Sequence, residues 1–284
     1  MTTDLTTLVS ADTLRSLLAS GRPVALIDTG FDLADVAAGE RAWREGHLPG
    51  SLYLHLDRDL SGPKTGTNGR HPLPRREVFA ATLGRCGITP QTQVVAFDRQ
   101  GSVYASRLWW MLRWMGHSAT AVLDGGVAAW VACGGTLVTE SGAPTATPPY
   151  PARVPLASTI EAGALAARLG RARLIDARAA ERFRGDVEPL DTTAGHIPGA
   201  LNRFFKDNLD PATGRFKPAG QLRADFAPLL GAAGAAEVVH QCGSGVTACH
   251  NLLAMEHAGL AGSLLYAGSW SEWSADPLLP VARG

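Results

Sequence analysis

The residue best placed for covalent chemistry is a cysteine in a glycine-spaced loop, Gln241-Cys242-Gly243-Ser244-Gly245-Val246-Thr247-Ala248. The loop follows an apolar run, Val238-Val239-His240, and leads into a segment of helical length, about Val246 to Ala258. Glycines at 243 and 245 let the backbone curl so that successive N–H groups converge. The helix behind them adds its unpaired N-terminal N–H groups and the positive end of its dipole. A cysteine there is favoured as the thiolate, and the cradle of Gly243, Gly245, Val246 and Thr247 suits an anionic persulfide or substrate. The competing reading is a small buried cysteine packed beside a tight turn.

Two other reactions can be set against this one. A cysteine phosphatase needs an Arg six positions after the nucleophile to bind the transferring phosphoryl group, and that position is Ala248. A metal site would draw on His240, Cys242, Cys249 and His250. Cys249 and His250 fall a turn inside the helix, however, and no Cys-x-x-Cys pair exists, so no metal is expected. Cys249 is read as a packing residue, and Cys86 and Cys133 as structural thiols.

The elements that must position the loop occur twice. Leu26-Ile27-Asp28-Thr29 recurs as Leu174-Ile175-Asp176-Ala177, and Gly46-His47-Leu48-Pro49-Gly50 as Gly195-His196-Ile197-Pro198-Gly199. Val94-Val95 recurs as Val238-Val239, and Asp124-Gly125-Gly126 with Trp130 as Ala267-Gly268-Ser269 with Trp273. Four matches in the same order indicate an internal duplication. The alignment sets Asp98 opposite Cys242, so one half holds a carboxylate where the other holds the thiol. Five prolines between Ser141 and Leu156 rule out a helix or central strand and mark an extended linker. The expected domains are residues 1–145, non-catalytic, and 155–284, catalytic. In each, short apolar runs (Val24–Ile27, Val94–Phe97, Ala121–Leu123; Leu174–Ile175, Val238–His240, Ser263–Tyr266) alternate with helical segments such as Tyr104 to Met115. The expected class is α/β, a mostly parallel sheet with helices on both faces. Ligands of such sheets bind at the carboxyl ends of the strands, where the Cys242 loop lies. His47 and His196, kept in both halves, read as turn and packing residues.

The 284 residues carry 26 basic and 26 acidic side chains, so bulk charge does not point to nucleic acid. The cluster Trp109, Trp110 and Trp114 reads as core. No apolar run is long enough to span a membrane, and the N-terminus lacks the basic start and apolar stretch of a signal peptide. The expectation is a cytoplasmic protein with no membrane association and four free thiols.

From about residue 8 to residue 276 the sequence resembles the tandem-domain rhodanese family of sulfurtransferases. The motifs that carry the likeness are Cys242-Gly243-Ser244-Gly245-Val246-Thr247-Ala248, the two Gly-His-x-Pro-Gly segments, Asp124-Gly125-Gly126 with Trp130, and Gly268-Ser269-Trp270-Ser271-Glu272-Trp273. The cysteine loop is similar to that of the 3-mercaptopyruvate sulfurtransferases; thiosulfate-preferring members carry Arg-Lys where this chain has Gly243-Ser244. The resemblance implies two rhodanese-type domains and an enzyme that moves sulfur from 3-mercaptopyruvate or thiosulfate through a Cys242 persulfide. The acceptor would be cyanide or a thiol, thioredoxin among them, and no metal or organic cofactor is implied. It also implies that Ser244, His71 and Asp57 form a proton relay and that Arg182 grips the substrate carboxylate. Family members carry a second Arg after Glu-Pro, but Glu188-Pro189 is followed by Leu190, leaving Arg203 as a candidate for the missing charge and both donors open. A persulfide relay acting on a protein partner is the alternative, and would expose the loop.

Overall fold

The computed structural model describes residues 4–140, 142 and 144–284. Met1 to Thr3 at the terminus, and Ser141 and Ala143 of the expected linker, lie outside the described residues. The chain divides into two compact units, the first Met1–Gly62, Pro74–Leu156 and Ala212–Arg215, the second Pro63–Leu73, Ala157–Pro211 and Phe216–Gly284. Each unit borrows a segment from the other half of the sequence. Residues 63–73 precede the linker yet belong to the second unit, and 212–215 belong to the first.

The first unit holds β1 (Leu8–Val9), β2 (Val24–Asp28), β3 (Leu52–Tyr53), β4 (Gln93–Phe97) and β5 (Thr120–Leu123) in the order β1-β5-β4-β2-β3. The second holds β6 (Ser158–Thr159), β7 (Arg173–Asp176), β8 (Leu201–Asn202), β9 (Val238–Gln241) and β10 (Leu264–Leu265) in the order β6-β10-β9-β7-β8. All pairings in both sheets are parallel. The duplication read in the sequence is therefore a duplication of topology. β4 is buried at every position and β9 likewise, as continuous apolar runs in a sheet covered on both faces require. The helix Val103–Trp114 is buried through ten consecutive residues, which explains why it shows no apolar stripe and places Trp109 and Trp110 in the core. Residues 144–156 of the proline-rich segment lie along the first unit, where Thr147, Tyr150 and Leu156 donate main-chain hydrogen bonds to Gly84, Ala80 and Arg113 carbonyls.

The repeated Leu-Ile-Asp and Gly-His-x-Pro-Gly motifs are joined through an arginine in each unit. Asp28 and Asp176 end the central strands with no solvent exposure. Asp28 pairs with Arg99 (2.6 Å) and Asp176 with Arg178 (2.7 Å). Each guanidinium also donates to the first glycine carbonyl of the turn, Gly46 or Gly195. A buried charge must be paired and hydrogen-bonded, and here the pairing ties strand end to turn. The turn histidines are packing groups in both units. His47 stacks on Trp43 at 4.2 Å and bonds its carbonyl, and His196 stacks on Phe183 at 3.9 Å and bonds its carbonyl.

Candidate active site

Cys242 follows β9 directly and is 1% exposed. Its position is fixed from behind by the turn after β10. The Cys242 N–H donates to Ser269 Oγ (3.1 Å), while the Trp270 and Ser271 N–H groups donate to the Cys242 and Gly243 carbonyls (3.0 and 2.9 Å). Ser269 adopts φ +55°, an uncommon conformation for a serine, and its hydroxyl donates onward to the Tyr266 carbonyl (2.9 Å). Gly245 has φ +74°, and a Cβ there would lie 2.3 Å from the Ala267 carbonyl oxygen, so no other residue fits. The helix Thr247–His257 begins immediately after the loop.

Among the described residues, the main-chain N–H groups of Gly243, Ser244, Val246, Thr247 and Ala248 have no protein acceptor. The duplicated unit shows what such a loop binds. Asp98, aligned with Cys242, turns its carboxylate into its own loop and accepts N–H bonds from Gln100 (2.9 Å), Ser102 (2.8 Å), Tyr104 (2.9 Å) and Ala105 (3.0 Å). Its carbonyl takes the Val127 N–H as that of Cys242 takes Trp270. The backbone is the same device in both units, an anion cradle at a helix start. In the first unit a carboxylate of the chain fills it.

Ser244 and His71 are both buried, with Ser244 Oγ 2.8 Å from His71 Nδ1. His71 reaches this place because residues 63–73 are part of the second unit. Asp57 lies in the first unit, in the short helix Leu56–Asp59, where its N–H donates to His55 Nδ1 (3.1 Å). Arg182 stands beside Gly243, with Nη1 3.5 Å from where a Cβ on that glycine would be. It is anchored by Glu188 (2.6 Å) and Asp191 (3.5 Å). Arg203 is held elsewhere: its Nη2 donates to Asp207 O, Asn208 Oδ1 and Asp225 Oδ2, and its guanidinium lies over Phe226. The guanidinium that joins Arg182 at Gly243 belongs instead to Arg70, whose Nη2 is 2.8 Å from the same Cβ position. Leu190 is 43% exposed, in a turn whose N–H groups at 190 and 191 are capped by Glu188.

Sequence reasoning missed Arg70, Asp191 and Ser269. Only the adjacency of Arg70 to His71 pointed to it. Of the four residues weighed as metal ligands, three are engaged separately: His240 Nε2 meets Met255 Sδ, His250 Nδ1 meets Asn208, and Cys249 Sγ donates to the Gly245 carbonyl. Burial pushes the His240 pKa down to about 3.

The sequence pattern of the Rhodanese-like domain matches residues 10–133 and again 161–276. A Pseudomonas aeruginosa protein named "Probable 3-mercaptopyruvate sulfurtransferase" is 46% identical over 264 residues, covering 91% of this chain and 92% of its own. A thiosulfate sulfurtransferase of Gallus gallus is 32% identical over 282 residues, covering 94% of this chain and 92% of its own. The crystal structure of a 3-mercaptopyruvate sulfotransferase from Escherichia coli superposes with a TM-score of 0.77 at 29% identity, over 94% of this chain and 99% of that one. Two matched domains with one strand order, one of them bearing a cysteine at the cradle, place this chain in the rhodanese family of sulfurtransferases.

Proposed function

We propose that the chain transfers sulfur from a small anionic donor, 3-mercaptopyruvate or thiosulfate, to cyanide or a thiol through a persulfide on Cys242. The observation that carries this is the pair of cradles. Among the described residues, the amides at 243, 244, 246, 247 and 248 donate to no protein acceptor, whereas in the first unit the aligned amides of Gln100, Ser102 and Tyr104, joined by that of Ala105, donate to the Asp98 carboxylate. A cradle that holds a carboxylate in one unit suits a thiolate, and then a persulfide, in the other.

The Cys242 thiolate attacks the terminal sulfur of the donor, and the bond between that sulfur and the rest of the donor breaks. With thiosulfate the electron pair leaves on sulfite. With mercaptopyruvate it leaves on the enolate carbon of pyruvate, which must gain a proton. Ser244 and His71, 2.8 Å apart beside the cysteine, are the groups placed to deliver it. Arg182 holds the anionic end of the donor. The acceptor nucleophile then takes the outer sulfur and restores the thiolate; thioredoxin is the protein thiol we favour for this step. Four free cysteines accord with work in the reducing cytoplasm. Among the described residues no helix is long and apolar enough to cross a membrane. The depth of Cys242, 1% exposed, favours small-molecule donors over a persulfide relay between proteins, which would present the sulfur at the surface.

The test is kcat/KM for thiosulfate and mercaptopyruvate measured side by side with cyanide as acceptor, in the unsubstituted protein and in Cys242→Ser. The expected result is turnover abolished with both donors in the variant. Substantial remaining turnover refutes the mechanism, and use of a partner's persulfide alone restores the relay reading.

A further inference from the structure

The short helix Ser269–Trp273, which follows β10, reaches two parts of the site at once through one residue, Ser271. Its N–H donates to the Gly243 carbonyl (2.9 Å), and its hydroxyl oxygen accepts the Arg70 N–H (3.0 Å). Gly243 immediately precedes Ser244, and Arg70 immediately precedes His71. Ser271 therefore grips the residue before each member of the pair whose Oγ and Nδ1 stand 2.8 Å apart. Its own proton goes to the Gly268 carbonyl (3.2 Å), which leaves the oxygen lone pairs to Arg70. Gly69 tightens the hold: it has φ +82°, and a Cβ there would lie 2.8 Å from the Gly268 carbonyl oxygen and 3.1 Å from Ser271 Oγ. On the other side of His71 comes Pro72, which disfavours a helical conformation of the histidine main chain. His71 is thus set between a hydrogen-bonded residue and a proline. All of these residues belong to the second unit. In the first unit the position aligned with Ser271 is Ala128, which has no hydroxyl to offer.

We propose that Ser271 is a positioning residue for proton delivery: by holding Gly243 and Arg70 it sets the approach of His71 to Ser244, the pair placed to hand a proton to the enolate carbon of pyruvate. The inference rests on the sulfur-transfer reading and deepens it by separating two steps. Forming the new S–S bond and breaking the donor's bond to sulfur need the thiolate and its cradle. Protonating the enolate carbon also needs the 2.8 Å contact, because a hydrogen bond that passes a proton weakens steeply with misalignment. Loss of the Ser271 hydroxyl loosens the main chain at Arg70. It leaves the bonds from Trp270 and Ser271 to the cysteine loop, since both donors are main-chain N–H groups. Thiosulfate leaves as sulfite, needs no carbon protonated, and so serves as the control donor.

The test compares Ser271→Ala with the unsubstituted full chain in steady state, using thiosulfate and mercaptopyruvate as donors and cyanide as acceptor. The kcat for mercaptopyruvate is expected to fall about fivefold, the size of one lost neutral hydrogen bond, while that for thiosulfate and both KM values change less than about twofold. The rate of Cys242 alkylation by iodoacetamide should stay unchanged, because the loop keeps its main-chain bonds. In a His71→Gln background the same substitution should have no further effect on mercaptopyruvate turnover, since the pair it positions is already broken. If the alanine variant does not fold, Ser271→Cys, whose sulfur is a weak acceptor, is judged by the same outcomes. The proposal is overturned by unchanged mercaptopyruvate turnover, by equal losses with the two donors, or by slower alkylation of Cys242. An undiminished effect in the His71→Gln background overturns it too, as does a lack of any turnover with mercaptopyruvate. Failure of the underlying reading shows separately, as the absence of a persulfide on Cys242 in the unsubstituted protein treated with either donor.

Discussion

Replacing Asp98 with alanine tests the physics of the cradle where the chain supplies its own anion. The carboxylate is 1% exposed and accepts four main-chain N–H bonds of 2.8 to 3.0 Å, two on each oxygen. Asp98→Ala leaves four donors without an acceptor, those of Ser102, Tyr104 and Ala105 buried and that of Gln100 part-buried, each buried one worth about 1–3 kcal/mol. Burying the carboxylate itself costs several kcal/mol, a cost the variant escapes. The net loss should be roughly 3–5 kcal/mol. Asp98→Asn should recover little of it, because its one oxygen serves a single pair of donors and its amide nitrogen faces the other pair. Urea denaturation followed by tryptophan fluorescence reads this out well, since Trp43, Trp109, Trp110, Trp114 and Trp130 lie in the first unit. A loss below about 1 kcal/mol in Asp98→Ala, or an asparagine variant as stable as the unsubstituted protein, would refute the reasoning.

Two further outcomes follow from the site and the core. Ser244→Ala should lower turnover of mercaptopyruvate on the order of a hundredfold but of thiosulfate less than about tenfold, because the enolate needs a proton and sulfite does not. Equal losses with the two donors, measured side by side in steady state, would remove Ser244 from proton delivery. Burial holds His240 neutral down to about pH 3, against an ordinary value of 6.5. The unfolded chain takes up that proton at the higher pH and the folded chain only near the lower, so stability falls as pH drops through this window. One such group contributes up to about 1.4 kcal/mol per pH unit. His240→Leu should flatten the plot of denaturation midpoint against pH across that range, and coinciding slopes would contradict the account of His240.

The parts of the molecule legible in the sequence are those set by local pattern. The runs at Val94-Val95 and Val238-Val239 are strand cores because consecutive buried apolar residues suit a parallel sheet covered on both faces. The Cys242 loop announced itself through two closely spaced glycines, and the fixed position of Gly245 against Ala267 shows why one of them is required. What the sequence hid is whatever depends on long-range placement. Arg70 lies 173 residues from Gly243 in sequence but beside it in space, because residues 63–73 pass into the second unit. Arg203, nearer in sequence, is drawn away by Asp225 and Phe226. The same holds for Asp28 and Asp176, which look alike in the repeated motif but find their arginines at different sequence positions.

The central claim is that Cys242 carries the transferred sulfur, and peptide mass analysis tests it most directly. After treatment with thiosulfate or mercaptopyruvate and removal of excess donor, the peptide containing Cys242 should be heavier by one sulfur atom, and cyanide should return it to its starting mass. Peptides containing Cys86 and Cys133 should stay unchanged. An unaltered Cys242, or sulfur carried on another cysteine, would contradict the account.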